Sequence, residues 1–373
     1  MPKERINPRN KAVINLTIGL NLIQAMRIAV GMSGGVDSSV CALLLKEQGH
    51  EVIGITLRFH REVCDELRVC CSPKDVQDAA IVSQRLGIPH LTLDWEKLFE
   101  EKVINTFVNE HLKGNTPNPC AICNRDVKTG FLARYLQKVA LIDKLATGHY
   151  ARIINYKGRK LIARGKDAKR DQSYFLALIK EEDIELLEFP LGELTKEEVR
   201  EIAKRHGLEV AQKPDSQDVC FLMGKDVGSF LRERLGSQEG IFVYKGQIVG
   251  KHKGFYAYTV GQRKGLGVSL GKPVYVVGVE PSKNIVYLGD EEELYRDWLI
   301  LREVNFHLPP SLWDEPKAQV RYRNTPIRVK GIKPLEDGRY KVFFEEKVRG
   351  ITPGQVCAFY ENDVLLAGGI IEE

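Results

Sequence analysis

Between Met26 and Gln48 an apolar strand, a glycine-serine loop and a helix follow one another almost without a spare residue: MRIAVGM, then SGGV, then DSSVCALLLKEQ, closed by Gly49. A strand that turns directly into a helix must cross back over its own sheet, so the next strand runs parallel to the first. The chain repeats this arrangement. EVIGITLRF is a second strand; SPKDVQDAAIVSQRLG is a helix capped by Ser72 and ended at Gly87; PHLTLD is a third strand. WEKLFEEKVINTFVNEHLKG and NRDVKTGFLARYLQKVA read as helices on either side of a cysteine loop, and DKLATGHY as a strand ending in a glycine. A hairpin with Lys157-Gly158 at its turn follows, then TKEEVREIAKRHG, where Thr195 and Glu198 form a capping-box pattern. Such alternation predicts an α/β fold from Arg27 to about Gln212: a doubly wound parallel sheet with ligands at the carboxyl ends of its strands.

After Phe221 short strands between Gly and Pro turns dominate, from about Gly240 to the end, which predicts one or two small β modules. A chain of 373 residues exceeds what one core usually supports, so several domains are expected. Residues 1–25 imitate a signal peptide poorly and read as an N-terminal extension, with Met26 the natural start. No apolar run is long enough to span a bilayer. Eight scattered cysteines in a chain of this size argue for a reducing, cytoplasmic setting. From Gly240 to Gly278 six cations occur without one Asp or Glu, interleaved with Phe242, Tyr244, Phe255, Tyr256, Tyr258 and Tyr275. That mixture points to a polyanion partner, against the plainer reading of a solvated face of a β module.

The loop itself is an anion cradle. Its glycines admit a polyphosphate to the backbone, its serines add hydroxyls, and the free amides of the helix start face the anion. It lacks G-K-[ST] and does not fit G-x-G-x-x-G, which excludes both familiar nucleotide loops. It resembles the SGGxDS loop of the ATP pyrophosphatase superfamily, whose members cleave ATP to AMP and pyrophosphate to adenylate a carbonyl oxygen. Asp37 suits a Mg2+ that bridges the phosphates.

GMSGGVDSSV, TPNPCAICN, ATGHYAR, RDQSYFL, the DSQDVCFL segment, GQRKGLG, RYRNTPI and TPGQ then occur in order along nearly the whole chain. In that order they resemble the bacterial tRNA-specific 2-thiouridylase family. The resemblance implies an adenine nucleotide alpha hydrolase-like ATP pyrophosphatase domain over 26–221, a small central tRNA-binding domain over 222–291 and a C-terminal β-barrel over 292–373. It implies adenylation of O2 of the wobble uridine of glutamate, glutamine and lysine tRNAs, bound by the anticodon arm, and replacement of that oxygen by sulfur. Carried over by motif, Gly31, Met32, Ser33, Gly34, Gly35, Val36, Asp37 and Ser38 would hold ATP, with Leu57 and Gly148 lining the adenine side. Asn118, Pro119, Cys120, His149, Arg170, Asp171, Gln172, Arg321, Tyr322 and Gln355 would contact tRNA. Cys220 would carry the persulfide sulfur and Cys123 would release it, the two pairing as a disulfide afterwards. The sulfur would come from a relay protein, a cysteine desulfurase or free sulfide.

One position departs from the family pattern: Cys120 occupies the slot of an aspartate that can act as acid or base, and a thiol near its ordinary pKa of about 8.5 cannot copy a carboxylate. The departure opens an alternative in which Cys120, Cys123 and Cys220 hold three irons of a [4Fe-4S] cluster whose fourth iron delivers sulfide. A structural zinc wants a fourth ligand, and none is obvious. Cys64, Cys70 and Cys71 lack His partners and read as unliganded; Cys41 reads as packing; His149 reads as a nucleotide contact or a satisfied structural histidine. The rival functions are a small-molecule adenylating synthetase, a non-catalytic RNA-binding protein and a dithiol redox protein. None of the three accounts for loop, thiols and basic segment together.

Overall fold

The computed structural model describes residues 25–59, 73–215 and 219–373. The expected N-terminal extension apart from its last residue, the Ser72 cap, Cys64, Cys70 and Cys71 lie outside the described residues. Strands β1 (Arg27–Gly31), β2 (Glu51–Arg58), β3 (His90–Asp94) and β4 (Lys144–Thr147) come first. The hairpin strands β5 (Ala151–Tyr156) and β6 (Arg159–Arg164) follow, and then β7 (Leu187–Glu188). One sheet has the order β3-β2-β1-β4-β7, with every pairing parallel. The chain winds outward from β1 to β3 and returns to β4 on the other side of β1, so its winding reverses between β1 and β4. In open α/β sheets that reversal leaves a crevice at the carboxyl ends. β1 is central because Ile28, Ala29 and Val30 are wholly buried, as a strand with helices on both faces must be.

The helix Val36–Glu47 buries eight of its twelve residues, Cys41 among them, beneath the helix Lys196–Arg205. Gly49 leaves the first helix at φ +85°, a left-handed conformation that favours glycine. The expected capping box is formed: Glu198 N donates to Thr195 Oγ1 at 3.2 Å and Thr195 N donates to Glu198 Oε2 at 2.7 Å. The helix around the cysteine loop begins earlier than its sequence pattern suggested. It starts at Pro119–Cys123, passes through a π-helical stretch at Asn124–Thr129 and continues as Gly130–Val139. A Cβ on Gly130 would come within 2.4 Å of the Arg125 carbonyl oxygen, so the wide turn leaves room only for glycine.

Strands β8 (Gly240–Tyr244), β9 (Gln247–His252), β10 (Tyr275–Glu280) and β11 (Ile285–Gly289) make a four-stranded sheet in the order β10-β11-β8-β9. β12 (Tyr295–Phe306), β13 (Lys317–Gln319), β14 (Ile327–Pro334), β15 (Tyr340–Arg349), β16 (Val356–Glu361) and β17 (Val364–Ile371) follow the order β12-β15-β14-β13-β16-β17. A β12–β17 pairing closes them into a six-stranded barrel. The hairpin β5–β6 does not join the parallel sheet. β6 pairs with β17 of the barrel, Ala163 opposite Val364, and buries Leu161 in the barrel core.

β16 and β17 are buried at every position because the barrel interior covers one face and the α/β domain the other. At Gly368 a Cβ would stand 2.2 Å from the Ala177 carbonyl oxygen, and Tyr174 donates its hydroxyl to the Val356 carbonyl at 2.8 Å. The central β segment departs from the expected surface of stacking rings. Phe242, Phe255, Tyr256 and Tyr275 are its core. Lys245 and Lys272 pair with Asp290, and Lys251 with Glu239, acids that lie just beyond the acid-free window.

Candidate active site

The glycine-serine loop sits at the carboxyl end of β1. Met32 N donates to the Ile55 carbonyl at 2.8 Å, which carries the strand pairing one residue past β1 and aims the next residues over the sheet. Gly34 has φ +67°, and a Cβ there would lie 2.3 Å from the Asp75 carbonyl oxygen; only glycine fits. Ser33 N donates to Ser38 Oγ at 3.2 Å, while the Ser38 and Ser39 hydroxyls donate to the Gly35 carbonyl at 3.2 and 2.8 Å. The loop is thus curled around its own helix start, with Gly35 as the capping residue and Val36 buried beneath. Gly148 closes the opposite wall. A Cβ on it would meet Ser38 N at 2.9 Å and Asp37 Cβ at 3.1 Å. Leu57 is buried at the end of β2.

Asp37 does not stand alone. Lys196 Nζ donates to both its oxygens at 2.8 Å, and the Tyr150 hydroxyl donates to Asp37 Oδ1 at 2.7 Å. Lys196 is 4% exposed and also pairs with Asp215 at 2.8 Å, which in turn takes Arg200 at 3.0 Å and Arg170 at 2.9 Å. Burial pushes the Asp215 carboxyl upward, but the bond and charge of Lys196, with Arg170 and Arg200 behind it, hold it below the ordinary range. Burial, with the Asp37 charge and hydrogen bond added, pushes the Tyr150 hydroxyl far up, so it stays a proton donor. Lys213 Nζ grips the loop from outside, donating to the Gly34 carbonyl at 2.9 Å and pairing with Asp75 at 2.7 Å and Asp78 at 2.5 Å. Tyr150, Lys196, Lys213 and Asp215 were not singled out from the sequence. Lys196 read only as the first residue of a capped helix, and no local signal reveals its distant partners.

From Asp37 a line of contacts leads to the cysteine helix. Tyr150 N donates to Gln172 Oε1 at 3.0 Å, the Phe175 carbonyl accepts from Asn124 Nδ2 at 3.1 Å, and Asn124 follows Cys123. Asn118 caps that helix, accepting from Ala121 N at 3.1 Å, with Pro119 in its first turn. Cys120 is exposed and Cys123 is 7% exposed. Cys123 belongs to the apolar cluster that includes Leu57, Phe99, Phe107 and Phe221, and half-buried Cys220 packs against the same cluster. Among the described residues no group of three or more His, Cys, Asp or Glu side chains is placed to hold a metal ion.

The residues expected to touch RNA are held by separate sets of contacts. Asp171 is buried and saturated, accepting from Gly165 N, Ser173 N, Ser173 Oγ and Arg164. Its carbonyl accepts from the Tyr322 hydroxyl at 3.4 Å, and the Tyr322 ring lies 4.4 Å from that of Phe175. Arg321 donates to Thr352 Oγ1 at 2.5 Å and to the Val260 carbonyl at 3.4 Å, which ties two of the sequence motifs to the residue just before GQRKGLG. Gln355 Nε2 donates to the Thr116 carbonyl at 2.8 Å, two residues before Asn118. His149 Nδ1 is 2.7 Å from Thr147 Oγ1; burial, aided by the Lys128 charge, lowers its pKa to about 3, so the ring is neutral.

The chain matches three family models in succession: a tRNA methyl transferase HUP domain over residues 26–224, a tRNA methyl transferase PRC-barrel domain over 228–290 and an aminomethyltransferase beta-barrel domain over 296–371. It is 62% identical over 354 residues to the tRNA-specific 2-thiouridylase MnmA of Aquifex aeolicus, covering 93% of this chain and 99% of that one. Proteins of the same name from a Hydrogenobaculum species and from Persephonella marina are 52% and 48% identical, each over 93% of this chain and all of theirs.

Proposed function

Because the chain belongs to the tRNA-specific 2-thiouridylase family, and so is an ATP-dependent tRNA sulfurtransferase, we propose how its residues divide that reaction. ATP lies along Gly31 to Ser38, with Leu57 and Gly148 at the adenine side. The uridine O2 attacks the α-phosphorus and pyrophosphate leaves, so the oxygen becomes part of an adenylate. Lys196 and the helix start offset the charge that builds on the phosphates. Mg2+ would supply positive charge to the phosphates and would be held through one or two protein carboxylates. Asp37 and Asp215 fit that donor set.

Sulfur arrives as a persulfide on Cys220. Its terminal sulfur attacks C2 and AMP departs; the Cys123 thiolate then attacks the Cys220 sulfur, breaking the S–S bond. The two released electrons stay on the sulfur bound to C2, leaving 2-thiouridine and a Cys123–Cys220 disulfide that an external dithiol reduces. A [4Fe-4S] cluster would need Cys120, Cys123 and Cys220 as a converging set. The described residues contain no such group, so no step is routed through one. The tRNA lies against Arg170, Gln172, Arg321, Tyr322 and Gln355, with Asn118, Pro119, Cys120 and His149 near the base. The divisions 26–221, 222–291 and 292–373 follow the passage from parallel sheet to small sheet to barrel.

The observation that carries this reading is the contact line from Asp37 through Tyr150 and Gln172 to Phe175 and Asn124, which ties the phosphate loop to the cysteine helix. The test is mass spectrometry of tRNA incubated with ATP, a cysteine desulfurase with free cysteine as the source of persulfide sulfur, and a dithiol. Wild type gains one sulfur for one oxygen. Cys220→Ser and Cys123→Ser release pyrophosphate in a tRNA-dependent way yet leave the base unthiolated. Full thiolation by either variant would overturn the relay.

A further inference from the structure

Between the β5–β6 hairpin and the barrel lies an open cavity of about 600 Å3. Five cations line it, Arg152, Arg164, Lys166, Lys169 and Arg323, against three acids, Asp171, Glu193 and Asp363. The inner cations are committed. Arg164 pairs with Asp171 at 2.7 Å and lies 3.8 Å over the Tyr360 ring, and Arg152 reaches Glu193 and Asp363 at 3.5 and 3.4 Å. The outer ones are not. Lys169 and Arg323 are exposed and, among the described residues, have no carboxylate partner; Lys166 has only Glu198 at 3.9 Å. Arg323 is held at φ +68°, a left-handed conformation that a long side chain adopts at a cost, with its guanidinium 5.2 Å from the centre of the Tyr322 ring.

The back wall of the cavity is the stretch from Gly165 to Gln172. The other side of that stretch touches the phosphate site: Asp167 Oδ2 accepts from Lys196 N at 3.1 Å, and Arg170 pairs with Asp215. The cavity therefore stands one chain thickness from the adenylation centre. Committed cations deep inside give a positive floor, while uncommitted ones at the rim can close on an anion without breaking an ion pair. Gln319 and Asn324 add neutral donors.

We propose that this cavity seats a phosphodiester of the tRNA backbone, with Lys169 and Arg323 as its contacts. The proposal rests on the function proposed above. The site is a register device: it reads no base, but fixes how far the RNA strand reaches toward the phosphate loop.

The test is the salt dependence of tRNA binding by the full chain, for wild type, Lys169→Gln/Arg323→Gln, and Lys330→Gln/Lys333→Gln, which removes the same charge from β14. At about 0.1 M salt each released counterion is worth roughly eightfold in affinity. The cavity double variant is expected to bind about eightfold more weakly, with its log K against log salt slope shallower by roughly one. ATP affinity, measured separately, reports that the variant is folded. Wild-type slope and affinity in the cavity variant, or an equal loss in the β14 variant, would overturn the proposal while leaving the proposed function standing. Absence of salt-dependent tRNA binding by wild type would remove both.

Discussion

Lys196 shows how much one residue can organise. Its ammonium is shared by Asp37 and Asp215 and lies 5.9 Å from the centre of the Tyr150 ring. Removing one partner from a buried ion pair costs about 3–5 kcal/mol because a charge is left without compensation. Lys196→Met is therefore expected to lower stability by about 3 kcal/mol, read from urea midpoints, and to abolish tRNA-dependent pyrophosphate release. Lys196→Arg keeps the charge and should recover most of the stability, yet turn over slowly because a planar fork cannot replace a compact ammonium. Wild-type turnover in the Met variant would reduce Lys196 to a scaffold. Asp37 was legible in the sequence because it sits inside the loop motif. Lys196 was not, since the contact spans 159 residues.

At the scale of elements, the helix Asn105–Leu112 carries a pH-sensitive seam. His111 is buried, with Nδ1 3.0 Å from the Tyr256 carbonyl, so it joins that helix to the central β segment. Burial lowers its pKa to about 4 against the weaker opposing pull of the Tyr256 carbonyl and Glu110. The folded chain then binds fewer protons than the unfolded chain between pH 6.5 and 4. Stability from this histidine is complete above about pH 6.5 and is lost as pH falls toward 4, by about 3 kcal/mol in all. Urea unfolding at pH 7 and pH 5 should show the loss, and His111→Gln should flatten the dependence. An unchanged slope in that variant would assign the acid sensitivity to other groups. Elements were the most legible scale: loop, capping box, hairpin turn and glycine stops all stood where local chemistry put them. The π-helical stretch after Cys123 was not foreseen, because its cause is the close approach of Gly130 to the Arg125 carbonyl.

Across the whole molecule the barrel works as a lid on the α/β domain. Its β17 covers Ala177 and receives β6, and Arg302 crosses to Glu110 at 2.7 Å. A chain ending at Glu291 is expected to expose Leu161, Tyr174 and Ala177, to bind a hydrophobic dye and to melt several degrees lower. A truncated chain with the full-length midpoint would show that the barrel docks on a domain already stable without it. The sequence by itself settled the strand-loop-helix order, the parallel sheet, the glycine-serine loop at the end of its first strand and the succession of motifs, because each depends on residues close together in the chain. Only the tertiary structure decided that the hairpin joins the barrel, that most of the central aromatic residues face inward, and that Asp37 is held by Lys196. Burial and ion pairing are set by which distant surfaces meet, and no local pattern of residues carries that information.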